Sequence, residues 1–186
     1  MRESVILQWA NQAMTSGIYP NSAFPPSRYY RFLKVAATNM QPRLSVELGV
    51  CGGGGSLHLC LGWPAGKVIG IDSAVEYPDN IKHIEREFPN FQFLWGDSCL
   101  LAPKIYNDYG RVDILFIDTI HTYERTMAEW EAWYHILSSR AIVCLDDLRR
   151  PGMSQAWREL PGHKIRLDML HDGAEGEDGG FGVIWQ

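Results

Sequence analysis

The chain has 186 residues, 46% of them apolar and 12% aromatic, which is enough to close one substantial hydrophobic core and too little for two. With 21% charged residues and a formal net charge of −5, it carries no global field that would draw nucleic acid or an anionic membrane, so a small molecule is the expected partner. Its four cysteines form no CxxC pair, which reads as reduced thiols in a cytoplasmic protein, and Arg2, Glu3, Asn11 and Gln12 break up any apolar core a secretory signal would need.

Residues 1–43 read as a helical cap segment, with helical stretches on either side of a Pro/Ser/Asn-rich break at 17–27. A lid or a partner contact are further uses for such a segment. The compact domain proper is expected over 44–186. It opens with the short apolar run 44–50, read as a buried strand because four consecutive glycines follow it, Gly52 to Gly55. The stretch 48–66 has no charge and approaches the length of a membrane span, but seven of its residues are glycine and it also holds His58 and Pro64, so a loop and helix are expected instead.

Further along, 67–72, 91–95, 112–118 and 141–145 read as strands, and 80–88 and 124–137 have helical spacing. This alternation predicts an α/β fold: a doubly wound, mostly parallel sheet, Rossmann-like, with helices on both faces. The end of the chain differs. Segments 164–170 and 182–185 flank a loop at 172–180 rich in glycine and acidic residues, which predicts an antiparallel hairpin at one edge and brings the sheet to seven strands.

In an open parallel sheet ligands bind beyond the carboxyl ends of the strands, so the residues just after each strand matter most. After the first strand, missing side chains at Gly49, Gly53 and their neighbours let backbone N–H groups approach a ligand and lead through Ser56 into a helix N-terminus. The turn lacks the Gly-Lys-Ser/Thr ending of a P-loop, which disfavours nucleoside triphosphates. After the second strand, Asp72 stands 25 positions beyond Glu47, near the spacing at which an acid meets ribose hydroxyls, with Ser73 beside it; a helix cap is the other use for either residue. The third strand ends in Asp97-Ser98, again an acid at a strand end.

These residues resemble the class I S-adenosylmethionine-dependent methyltransferases over roughly residues 44–185. The resemblance implies that Glu47 and the turn at Gly49, Cys51, Gly53 and Ser56 hold the methionine part of the cofactor, that Asp72 and Ser73 hold the ribose, and that Asp97 and Ser98 lie near the adenine. Cys51 departs from the pattern, where many members have a second glycine. The hairpin is similar to the last two strands of that family and unlike dehydrogenase Rossmann domains.

The segment Ile117-Asp118-Thr119-Ile120-His121-Thr122-Tyr123-Glu124 resembles the "IDGxHxYE" stretch of a subgroup that includes metal-dependent small-molecule O-methyltransferases and cephalosporin-hydroxylase-like proteins, with Thr119-Ile120 in place of a small, polar pair. Asp118 is expected at both the cofactor and the reaction centre. After the fifth strand come Asp146 and Asp147. Together with Asp118 they would offer an all-oxygen pocket for Mg²⁺ or another divalent cation, unless they cap the next segment or pair with Arg149 or Arg150. His121, three residues past Asp118, has a side chain suited to taking a hydroxyl proton; a structural histidine bonded to backbone or to Glu124 is the alternative.

The expected activity is therefore methyl transfer from S-adenosylmethionine to an oxygen of a small molecule. Two competitors stand beside it: a cofactor-binding accessory or hydroxylase-like protein without methyl transfer, and a nicotinamide-dependent oxidoreductase. With only about forty residues ahead of the first strand, little chain remains for a lid, so either the pocket is open or a second subunit of a homo-oligomer closes it.

Overall fold

A computed structural model describes residues 1–17, 19, 24, 27–170 and 179–186. Part of the 17–27 break and residues 172–178 of the acidic loop lie outside the described residues.

Seven strands form one sheet in the order β3-β2-β1-β4-β5-β7-β6. Strands β1 (Leu44–Leu48), β2 (Lys67–Asp72), β3 (Phe91–Trp95), β4 (Val112–Ile117) and β5 (Leu137–Leu145) are parallel; β7 (Gly182–Trp185) runs antiparallel to β5 and carries β6 (His163–Arg166) as the edge. The hairpin is thus present, but its second strand lies inside and its first at the edge. The burial explains this, since all four residues of β7 are buried whereas none of β6 is. Residues 168–170, expected to extend the strand, form a 3-10 turn.

Alternation along β1 sets the layers. Leu44, Val46 and Leu48 face one apolar cluster, built with α5 (Ser98–Tyr109), α6 (Tyr123–Tyr134) and α7 (Pro151–Glu159). The other face carries α1 (Glu3–Thr15), α2 (Arg28–Met40), α3 (Gly54–Gly62) and α4 (Pro78–Glu87), which share a cluster with Ile114, Phe116, Ile142 and Cys144. The N-terminal helices therefore belong to the sheet's packing: Ile6, Phe32 and Leu33 are wholly buried in that cluster.

Apolar periodicity does not predict α5, where Pro103 interrupts the pattern, nor α7. It also starts β5 too late. The polar residues Ser138 and Arg140 lie in the strand because both reach back to the buried Asp113: Ser138 Oγ donates to its Oδ1 at 2.7 Å, Arg140 Nε and Nη2 donate at 3.2 Å, and the Arg43 N–H adds a bond of 2.8 Å. Burial opposes ionisation of Asp113, but these donors outweigh it and hold the carboxyl below its usual range. A carboxylate with a depressed folded pKa contributes stability above its unfolded value, and that contribution is lost as the pH falls through the folded pKa. Asp113→Ala should therefore cost about 2 kcal/mol in urea unfolding at neutral pH, the half-exposed Arg140 limiting the loss, and the gap to wild type should close below about pH 4.

Candidate active site

The strand order reverses between β1 and β4, so the connections leave on opposite sides and open a crevice at the carboxyl ends. A cavity of about 730 Å³ lies there, a size suited to a nucleoside-containing ligand with room beside it. The ends of all five parallel strands contribute to its wall, and α2 and α6 complete it.

The turn after β1 is built on Gly49. Its φ is +84°, and a Cβ there would lie 2.0 Å from the backbone oxygen of Asp118, so the turn can approach the end of β4 only without a side chain. Gly53, Gly54 and Gly55 serve packing, each so close to a neighbouring side chain that a Cβ would fall within 2.5 Å of it. A Cβ on Gly55 would fall 2.2 Å from Glu47 Oε1, which shows how close α3 lies over β1. Glu47 is accordingly 1% exposed, and its Oε2 accepts from Ser56 N–H at 2.6 Å and Ser56 Oγ at 2.5 Å. Burial raises its pKa to about 8, against the pull of the Ser56 bonds. Glu47, Gly53 and Ser56 thus lie behind the cavity wall and shape the turn, while Gly49 and Cys51 form the wall itself.

Asp72 is on the wall. Its Oδ2 accepts from the N–H groups of Val50 and Cys51 at 2.8 and 3.0 Å and its Oδ1 from Ala74 N–H at 3.0 Å, so it ties the glycine turn to the end of β2. The helix-cap alternative is not realised, since Asp72 caps neither α3 nor α4 and instead organises the glycine turn and its own loop from the cavity wall.

Asp97 caps α5 through the N–H groups of Cys99 and Leu100, and it also takes two bonds from Arg125, at 3.0 and 3.3 Å. Arg125 holds its carboxyl below the ordinary range. The same guanidinium donates to Ser98 Oγ and to the fully buried Glu129, which Thr119 Oγ1 also bonds at 2.9 Å. A network thus joins the ends of β3 and β4 through α6. The sequence reading missed Arg125 and Glu129, whose spacing of four places them on one face of α6.

Of the Asp-His-Tyr-Glu segment, only Asp118 and His121 reach the cavity; Tyr123 bonds Glu159 of α7 and Glu124 is exposed. His121 adopts φ +54°, with Nε2 3.1 Å from Asp118 Oδ1 and Nδ1 3.4 Å from Asp147 Oδ2. Its neighbours are these two carboxylates, not Glu124. Asp147, at φ +53°, has Oδ2 2.7 Å from Arg150 Nε. Among the described residues the group whose donor atoms lie within 4.8 Å of one another is Asp118, His121 and Asp146. The all-carboxylate set Asp118, Asp146 and Asp147 is not brought together, because the turned backbone of Asp147 aims its side chain at Arg150 and His121.

The sequence also gave no sign of Tyr29 and Tyr30. Both lie on the cavity wall from α2, their ring centroids 4.4 Å apart, and burial pushes both phenols far above their usual range, so they stay protonated. No helix among the described residues is long and apolar enough to cross a membrane.

Three solved structures share this architecture. The O-methyltransferase from Bacillus cereus in complex with SAH is 17% identical with a TM-score of 0.71, the match covering 98% of this chain and 90% of that one. TomG, an O-methyltransferase from Streptomyces achromogenes involved in tomaymycin synthesis and solved with SAM, is 15% identical with a TM-score of 0.71, over 100% and 91%. Cofactor-bound Rv0187 from MTB is 20% identical with a TM-score of 0.69, over 97% and 88%. At these identities the likeness establishes the fold. No curated protein matches the chain. The model of a methyltransferase domain family matches residues 46–148, from the first strand through the Asp146-Asp147 turn and more than half of the chain. The chain therefore belongs to the methyltransferase domain family and has the fold of its class I S-adenosylmethionine-dependent members.

Proposed function

We propose that the protein transfers the methyl group of S-adenosylmethionine to an oxygen of a small-molecule acceptor, with help from a divalent cation. The observation that carries this reading is that one cavity holds both the cofactor-side acids, Asp72 and Asp97, and the Asp118, His121 and Asp146 group. Its wall presents six carboxylates, of Asp72, Glu76, Asp97, Asp118, Asp146 and Asp147, against the guanidinium groups of Arg125 and Arg150. Such a field suits a cationic sulfonium and opposes the pyrophosphate of a nicotinamide dinucleotide. The ligands named for the similar structures, SAM and SAH, support the same choice.

In this reading Asp72 Oδ1 and Ser73 receive the ribose hydroxyls. Asp97 and Ser98, held by Arg125, border the adenine, and Gly49 and Cys51 border the methionine part. Glu47 and Ser56 act from behind by fixing the turn. Asp118, at the junction of the two halves, faces both cofactor and acceptor. Carboxylate and imidazole donors within 4.8 Å of one another are a donor set that fits a divalent cation, with Asp118 and Asp146 supplying the carboxylates. When bound there, such a cation would lower the pKa of an acceptor hydroxyl. The protein orients that hydroxyl beside the methyl group and excludes water with the Tyr29 and Tyr30 rings. The four free thiols support a cytoplasmic setting.

Calorimetry tests the cofactor half directly. S-adenosylhomocysteine should bind the wild type, and Asp72→Ala should weaken it by about 1–3 kcal/mol, the scale for one hydrogen bond to a charged group. Thermal stabilisation by NAD and none by S-adenosylhomocysteine would reverse the assignment.

A further inference from the structure

We infer that the cation site is made for a first-row transition ion in preference to Mg²⁺, with Nε2 of His121 as its third protein ligand and Asp147 acting behind the imidazole. The inference rests on the cation-assisted reading above and names the ion class and the ligand set for it.

Two strand ends supply the three donors. Asp118 and His121 follow β4 and Asp146 follows β5, and Ile117 pairs with Leu145 while Asp146 N–H donates to Ile117 O at 3.3 Å, so the two loops leave the sheet level with each other. Around an ion with bonds of about 2.1 Å, donors at right angles stand roughly 3 Å apart and opposite donors roughly 4.2 Å apart. The His121 Nε2 to Asp118 Oδ1 distance of 3.1 Å is that right-angle edge, and a carboxylate oxygen of Asp146 completes a group of donors within 4.8 Å of one another.

The surroundings of the imidazole favour ligation by Nε2. The 3.1 Å contact is a hydrogen bond when Nε2 carries the proton and a ligand edge when Nδ1 carries it. Asp147 Oδ2 lies 3.4 Å from Nδ1, the position in which a carboxylate behind a ligating histidine holds the proton on the far nitrogen and fixes the ring. Arg150 Nε, 2.7 Å from the same oxygen, keeps Asp147 on that side and away from the ion. With its side chain only 14% exposed, the ring has little room to swing elsewhere.

Mg²⁺ takes oxygen donors in a near-ideal octahedron and gives up its waters reluctantly, whereas an imidazole nitrogen suits Fe, Ni, Cu or Zn, with affinity rising from Mn along the divalent series toward copper. One nitrogen and two carboxylates therefore select against Mg²⁺. With Nε2 committed to the ion, His121 orders the cation and does not serve as the general base.

The test uses Mn²⁺ as probe on the purified chain, followed by electron paramagnetic resonance. One Mn²⁺ should bind, its echo modulation should carry the ¹⁴N coupling of a single imidazole, and a hundredfold excess of Mg²⁺ should leave it in place. His121→Gln should abolish the ¹⁴N signal. Asp147→Asn should keep the signal while weakening Mn²⁺ about 10–100-fold, the usual scale for losing the group behind a ligating histidine. An unchanged circular dichroism spectrum and a cooperative thermal melt would verify that each variant is folded. Mn²⁺ bound without ¹⁴N coupling, or displaced by equimolar Mg²⁺, would overturn the inference and leave the cation-assisted reading standing. No Mn²⁺ binding by the wild type, or binding unaffected by Asp118→Asn, would overturn both.

Discussion

Gly49→Ala should lower the melting temperature by roughly 8–15 °C, the shift that a loss of about 4 kcal/mol gives in a domain of this size. Two costs combine. The residue sits at φ +84°, where an L side chain is strained by about 1 kcal/mol, and its new methyl would lie 2.0 Å from the backbone oxygen of Asp118. Asp118 cannot withdraw freely, because its N–H donates to Leu48 O at 2.8 Å and ties the end of β4 to β1. Relief must come from parting β1 and β4 at their carboxyl ends, where the cavity opens. The variant should therefore also lose S-adenosylhomocysteine affinity out of proportion to its stability. Differential scanning calorimetry with and without the ligand measures both effects, and a melting point within 3 °C of wild type would contradict the close approach.

Glu47→Gln should change how stability depends on pH. The folded pKa of about 8 lies above the ordinary 4.5, so between these values the folded chain binds a proton that the unfolded chain has released. Stability from this group is thus intact below pH 4.5, falls as the pH rises toward 8, and is lowest above it. The full loss is on the order of 5 kcal/mol for a wholly buried carboxyl. Glutamine keeps an oxygen for the Ser56 N–H and Oγ–H donors and does not titrate, so the variant should be more stable than wild type at pH 8.5 and similar at pH 5. Urea midpoints at the two pH values decide this. Equal midpoints at pH 8.5 would mean that Glu47 is held ionised by its two Ser56 bonds at no cost.

Much of the fold is legible in the residue order, for an identifiable reason. The buried middle of β2, Val68 to Ile71, carries no polar side chain, and the edge strand β3, of which only Phe91 is buried, is still marked by its aromatic and apolar residues, so both appear in the sequence with the bounds they have in the structure. Strand β5 is the counterexample: its first residues are polar because they serve Asp113, 25 or more positions away, and no local pattern reports that debt. Helix α5 escaped notice because Pro103 breaks the apolar spacing, although the Asp97 cap that starts it was visible as an acid at a strand end.

By itself the sequence determined where each carboxylate stands along the chain: Glu47, Asp72, Asp97, Asp118, Asp146 and Asp147 all occur at or just past the end of a parallel strand, and a doubly wound sheet must gather strand ends at one edge. Only the tertiary structure decided which way each one points. Strand alternation turned Glu47 under α3, beyond reach of the cavity. A left-handed backbone at His121 and Asp147, unusual for residues with side chains, brought the imidazole beside Asp118 and turned Asp147 toward Arg150. Arg125 reached Asp97 across 28 positions, and α2 folded back to place Tyr29 and Tyr30 on the cavity wall. These directions depend on backbone dihedrals in loops and on pairings between distant segments, whereas periodicity registers only burial along one element.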